Sequence, residues 1–169
     1  MDTIWKTMIW HQFGAAIDML DNAMRACPDD LWGDRSQRQE FWYVAFHTLF
    51  FLDLYLSDSD KEFAPPAPFT LDEMDERGLL PERVYTKEEL QKYLEHGRKK
   101  CRVTISAMTE ENANRRCGFV WLDLSLAEML LYNMRHVQHH AGQLNLILRQ
   151  KIESAPCWIR KTQLGLDAE

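Results

Sequence analysis

Met134-Arg135-His136-Val137-Gln138-His139-His140-Ala141-Gly142-Gln143-Leu144-Asn145 is the stretch whose reading decides the fold. Residues four apart lie on one face of a helix, about one turn along. His136 and His140 can therefore present two imidazoles to one point. His140 lies about 40° around the helix from His136, and His139 about 60° in the other sense, so the i,i+4 pair is the better chelate. The stripe through that pair reads Met129, Tyr132, Asn133, His136, His140, Gln143 and Ile147. It is polar in the middle and apolar at its ends, as suits a site embedded among packed helices. A second apolar run, WYVAFHTLFFLDLYL over residues 42–56, carries His47 and can bring a third imidazole from another helix.

Working outward, four long segments read as helices and none reads as a strand. The first spans about Thr3 to Ala26, with Trp5, Ile9, Phe13, Ile17 and Leu20 at spacings of three and four. Pro28 and the following PDDLWGD stretch end it. The second spans about Ser36 to Leu56, with a start at Asp34 or Ser36, either of which can cap free amides. Thr86 and Glu89 form a capping-box pair that opens the third, ahead of Leu90, Leu94, Cys101, Ile105 and Met108. The fourth begins near Ser125, with Glu128 three residues on, and continues to about Lys151. Helices of 20 to 28 residues would be roughly 30–42 Å long. The expected fold is all-α, a four-helix bundle in one domain over residues 1–169.

The first two helices are joined by a short link. The second and third are separated by about 28 residues, Asp58 to Tyr85, containing Pro65, Pro66, Pro68 and Pro81. Structureless loops of that length are uncommon unless functional or acting as crossovers. This one can run the length of the bundle, giving up-down-down-up order, or cover one end as a lid.

Composition narrows the function. Hydrophobic residues are 46% and charged residues 27%, the balance of a soluble globular chain. A net charge of −6 argues against nonspecific nucleic-acid binding. Arg98, Lys99, Lys100 and Arg102 read as a solvated helix face. The apolar run around His47 contains Asp53 and is shorter than the ~20 residues a membrane span needs. Four scattered cysteines without a CxxC pair, and no signal peptide, point to a reducing cytoplasm. Nucleotide-binding glycine motifs, the GxSxG elbow and the Glu-x-x-His pattern of di-iron bundles are all missing.

His47 taken alone reads more readily as a hydrogen-bonded core histidine than as a ligand. His139 reads as an outer donor, a surface residue or an alternative ligand; His11 and His96 read as ordinary. Together, His47, His136 and His140 would need three sets of buried partners, which one metal ion satisfies at once. Imidazole suits zinc, nickel, copper or ferrous iron, and three protein ligands leave a position for water or substrate. Asp53 points well away from His47 and reads as a surface or helix-contact residue. Cys157 and Trp158 read as a terminal packing anchor or a cover over a pocket.

On these residues the chain resembles the DinB-like (YfiT-like) superfamily of metal-binding four-helix bundles. The resemblance rests on the histidine in WYVAFHTLFFLDLYL, on HVQHHAGQLNLILRQ, on the proline-bearing crossover, and on Pro28, Leu31 and Trp32 after the first helix. It implies a divalent metal (zinc, nickel, iron or manganese) on His47, His136 and His140, an up-down-down-up bundle, and frequently a homodimer. It also implies a small-molecule substrate, with a low-molecular-weight thiol as cosubstrate in an S-transferase. A hydrolase using metal hydroxide is the other enzymatic expectation, and a noncatalytic metal-binding stress-response protein the alternative. Tyr43, Tyr132 and Asn133 are the nearest polar candidates for orienting substrate or a bound water.

Overall fold

The computed structural model describes residues 3–34, 40–75 and 81–167. Within them the regular structure is helical: α1 (Thr3–Ala26), α2 (Asp29–Trp32), α3 (Phe41–Leu54), α4 (Lys87–Ala107), α5 (Glu110–Ala113) and α6 (Leu126–Ile152), with a 3-10 turn at Asp72–Met74. No strand occurs among the described residues, and the one bridge is an isolated pairing of Arg116 with Ser125. The four long helices pack α1 on α6 and α4, and α3 on α6 and α4.

Local chemistry sets the helix ends. Thr86 with Glu89, and Ser125 with Glu128, form complete capping boxes at the starts of α4 and α6, each satisfying two otherwise free amides. α6 stops at Glu153, whose φ of 54° is left-handed. α3 departs from expectation. It begins at Phe41 after an extended Glu40, not at Asp34, and its 14 residues span about 21 Å. Ser36 lies outside the described residues. The link before α3 holds α2, which the sequence reading took as a plain terminator, and α5 is a single capped turn that it missed.

α3 is apolar on nearly every side, as a helix must be when others surround it. Trp42, Phe46, Leu49 and Phe50 join Trp10, Phe13, Ile17 and Leu20 of α1 in the core, with Leu90, Tyr93 and Leu94 of α4 and Val137, Leu144 and Leu148 of α6. Its carboxyl end is tied by polar groups. Asp53, 1% exposed, accepts from Lys100 Nζ at 2.5 Å and Tyr93 Oη at 3.2 Å, with His96 Nε2 at 3.4 Å. Lys100 also donates to the Asp53 carbonyl and to Ser57 Oγ. Asp53 is thus a buried link between α3 and α4. The basic run is a solvated face only in part: Lys99 is exposed, but Arg98 is buried against Asp18 at 2.5 Å, and half-buried Lys100 is paired with Asp53.

The crossover is fastened by aromatic rings. Phe63 meets Phe50, Phe69 stacks on Tyr93 at 4.4 Å, and Tyr85 lies against Phe46 at 4.9 Å. Trp32 Nε1 donates to the Tyr85 carbonyl at 2.9 Å. After α6 the chain returns along α1. Thr162 N donates to the His11 carbonyl, Trp10 Nε1 to the Leu164 carbonyl and Gln12 Nε2 to the Arg160 carbonyl. Only glycine fits at position 14, because a Cβ there would meet Thr162 Cγ2 at 2.5 Å. Thr162 is the anchor of this tail; Trp158, expected in that role, is 66% exposed.

Candidate metal centre

α3 and α6 bring the three histidines together. His47 lies beside His140 (ring centroids 4.8 Å) and His136 (5.4 Å), and His136 beside His140 (4.5 Å). One nitrogen from each ring lies within 4.8 Å of the others, so the three could hold an ion. His136 Nε2 and His140 Nε2 are 3.1 Å apart. Two nitrogens each ~2.0–2.1 Å from one ion at a tetrahedral angle sit about 3.3 Å apart, so this edge already has the spacing of a chelate.

Two rings are oriented through their other nitrogen. His47 Nδ1 is 2.5 Å from Glu73 Oε1, which also accepts from Tyr43 Oη at 3.1 Å. A carboxylate only accepts, so His47 Nδ1 is the donor of this pair, and Nε2 is the ring atom left for an ion. His140 Nδ1 donates to Gln143 Oε1 at 2.7 Å, while the Gln143 amide nitrogen donates to His139 Nε2 at 3.2 Å. His139 is exposed and outside the three-ring group; it orients Gln143, which orients His140.

His136 has no such partner: its Nδ1 is buried and unpartnered. If its Nε2 donates to His140, Nδ1 keeps an unused lone pair; if Nε2 is bare, Nδ1 keeps an unused proton. Nδ1 is therefore unsatisfied in either tautomer, and an ion on Nε2 leaves it so, with its proton on Nδ1. An ion between the Nε2 atoms removes the need for either ring to donate there. Burial first, then the neighbouring imidazoles, lowers the His136 pKa to about 3. Burial likewise lowers His140 to about 4, against the opposing pull of Gln143. Both are neutral at pH 7, the state a metal ligand needs.

An aromatic wall flanks the rings. Phe51 packs on His47 at 4.8 Å and on His136 at 5.6 Å; Tyr55 meets His136 at 6.1 Å and Tyr132 at 5.3 Å. Burial and the Glu73 carboxylate raise the Tyr43 pKa, keeping its phenol protonated as a donor. Of the three polar candidates, Tyr43 is held by Glu73 and Tyr132 stands by Tyr55. Asn133 is fully buried and donates to the Leu52 carbonyl at 3.0 Å, one of the orphan carbonyls at the end of α3. Its amide nitrogen thus ties α6 to α3, while its Oδ1 is buried without a partner. A cleft of about 620 Å³ between α1, α6 and the tail is lined by Gln12, Ala16, Tyr132, His136, His139 and Trp158, among others. Of the three histidines it reaches His136.

Glu73 was invisible to sequence reasoning. It sits in a nonperiodic acidic stretch of the crossover, and only the folded path of that segment selects it from Asp72 and Asp75.

An all-helical protein with three converging imidazoles, two of them held by outer acceptors, is the class this architecture defines. The sequence model of the DinB superfamily matches residues 12–144, and the chain belongs to that superfamily. No curated protein and no solved structure matches the chain. No helix among the described residues is long and apolar enough to cross a membrane.

Proposed function

We propose that His47, His136 and His140 hold one divalent transition metal ion, and that the protein is a metal-dependent enzyme acting on a small molecule. The observation that carries this is the convergence of three imidazole nitrogens within 4.8 Å, with His136 and His140 held neutral by burial. An ion bound there would supply Lewis acidity toward a water or a thiol. Three protein ligands leave a coordination position open, the arrangement of catalytic zinc sites. The His47 side chain is 27% exposed, which supports an accessible site over a closed structural one.

The chain's own residues supply orientation and dryness. Glu73 and Gln143 fix the tautomers of His47 and His140; Phe51 and Tyr55 exclude water from one side; Tyr132 offers a hydroxyl in the cleft beside His136. An S-transferase using a low-molecular-weight thiol is the reaction favoured by the superfamily resemblance, with a water-activating hydrolase second. The same reading takes the chain as one up-down-down-up bundle. It is supported by pairings in which α3 positions 47, 51 and 55 meet α6 positions 140, 136 and 132. It also takes the protein as a homodimer, which sedimentation equilibrium tests.

The decisive experiment is metal content by plasma mass spectrometry of untagged wild type beside His136→Ala, each also incubated with Zn²⁺, Ni²⁺ and Mn²⁺. Near one equivalent in wild type, lost in the variant, is expected. Wild type that binds none of the three refutes the reading. Thiol-dependent modification of a model electrophile, abolished in His47→Ala, then separates an enzyme from a noncatalytic metal binder.

A further inference from the structure

The acceptors behind the two oriented rings differ in charge and in origin. Gln143 is neutral and lies on α6 itself, whereas Glu73 is a carboxylate delivered from the crossover. Its side chain is only 4% exposed. The hydrogen bonds that reach it come from the His47 ring and the Tyr43 phenol, both on Oε1. Oε2 is buried without a partner. A buried carboxyl group with one oxygen unpartnered is costly, and a positive charge behind the ring that holds it offsets that cost. The three-histidine group stands directly behind the ring that Glu73 holds, so an ion there supplies that charge through His47.

We propose that Glu73 is a positioning residue for the metal, and that metal binding through it docks the crossover segment at residues 69–75. The inference rests on the metal-centre reading above. Phe69, stacked between Phe46 and Tyr93, is the fixed end of this segment. The 3-10 turn at Asp72–Met74, with Thr70 Oγ1 bonded to the Asp72 side chain beside it, then carries Glu73 to His47. The turn is one short piece between that anchor and the site, and Glu73 is its hydrogen-bonded link to a metal-ligand candidate. Coupling of this kind is reciprocal: the factor by which the docked segment tightens metal binding is the factor by which metal stabilises docking.

Outer partners of ligand histidines typically contribute 10–100-fold to metal affinity. The test is a chelator-competition titration with Zn²⁺ on wild type, Glu73→Gln and Glu73→Ala, with hydrogen exchange of the 69–75 amides in apo and Zn²⁺-loaded protein. Expected are a Kd roughly 10–100-fold higher in Glu73→Ala, a smaller rise in Glu73→Gln, and Zn²⁺-dependent protection of 69–75 in wild type that Glu73→Ala lacks. A purely structural tie would instead lower the apo melting temperature and leave Zn²⁺ affinity unchanged. Both variants binding Zn²⁺ within about twofold of wild type, or wild type showing no Zn²⁺-dependent protection, overturns the inference while leaving the metal centre standing. Wild type that binds no Zn²⁺ overturns both. Should Glu73→Ala fail to fold, Glu73→Gln carries the same readouts.

Discussion

Replacing Lys100 with methionine tests whether the Asp53 link holds α3 in place. The substitution keeps most of the apolar stem and removes the ammonium that contacts Asp53 Oδ1 at 2.5 Å, the Asp53 carbonyl at 2.9 Å and Ser57 Oγ at 2.7 Å. The carboxylate left behind is 1% exposed and retains only Tyr93 and His96. Breaking a buried pair so that one charge is stranded costs about 3–5 kcal/mol. Asp53→Asn is the instructive comparison. It strands a lysine that is 28% exposed and can reach water. Its cost should be nearer the ~1.5–3 kcal/mol of a lost charged hydrogen bond. At about 2–4 °C per kcal/mol for a chain of this size, Lys100→Met should melt roughly 6–20 °C lower. Urea denaturation of the metal-free protein gives the free energies, provided the slopes of wild type and variants agree. Lys100→Met costing under about 1 kcal/mol, or less than Asp53→Asn, would show that the carboxylate is not isolated as described.

Three further outcomes are expected. Gly14→Ala should push Thr162 away and destabilise by about 1–3 kcal/mol, with faster tryptic cleavage at Arg160 and Lys161; unchanged cleavage and melting would contradict the close approach. Metal-free protein should lose stability as pH falls below about 6.5, because unfolded histidines then take up protons that folded His136 and His140, titrating near 3 and 4, refuse. That contribution is fully present above pH 6.5, and urea midpoints at pH 7 and 5.5 should differ less in a His136→Phe, His140→Phe double variant. Gln143→Leu should weaken Zn²⁺ binding on the order of tenfold, read by chelator competition, whereas His139→Ala should weaken it less.

The parts of this molecule governed by short-range periodicity were legible beforehand. The expected limits of α1 coincide with those found, and both capping boxes stand where Thr86–Glu89 and Ser125–Glu128 placed them. His136 and His140 share a face because helical spacing requires it. His47 could be nominated but not located, since its approach depends on how two helices 80-odd residues apart in sequence pack. Glu73, the burial of Arg98 and the pairing of Lys100 were out of reach for a related reason. Hydropathy marks charged residues as solvent-facing, and only tertiary partners such as Asp18 and Asp53 reverse that. The α3 start was misplaced because polar residues able to cap occur at several positions before Phe41, and the choice among them is made by the core that takes Phe41 and Trp42.

The tail lies beyond the span that matches the superfamily, yet it accepts the Trp10 indole proton and fills the notch at Gly14. With Trp158 it also forms one bank of the cleft whose other bank carries Tyr132, His136 and His139. The chamber beside the histidines is thus built by two stretches of chain of different standing, one inside the matched span and one outside it. A protein with the same histidines but other residues at positions 158 and 159 would offer a differently shaped cleft beside His136.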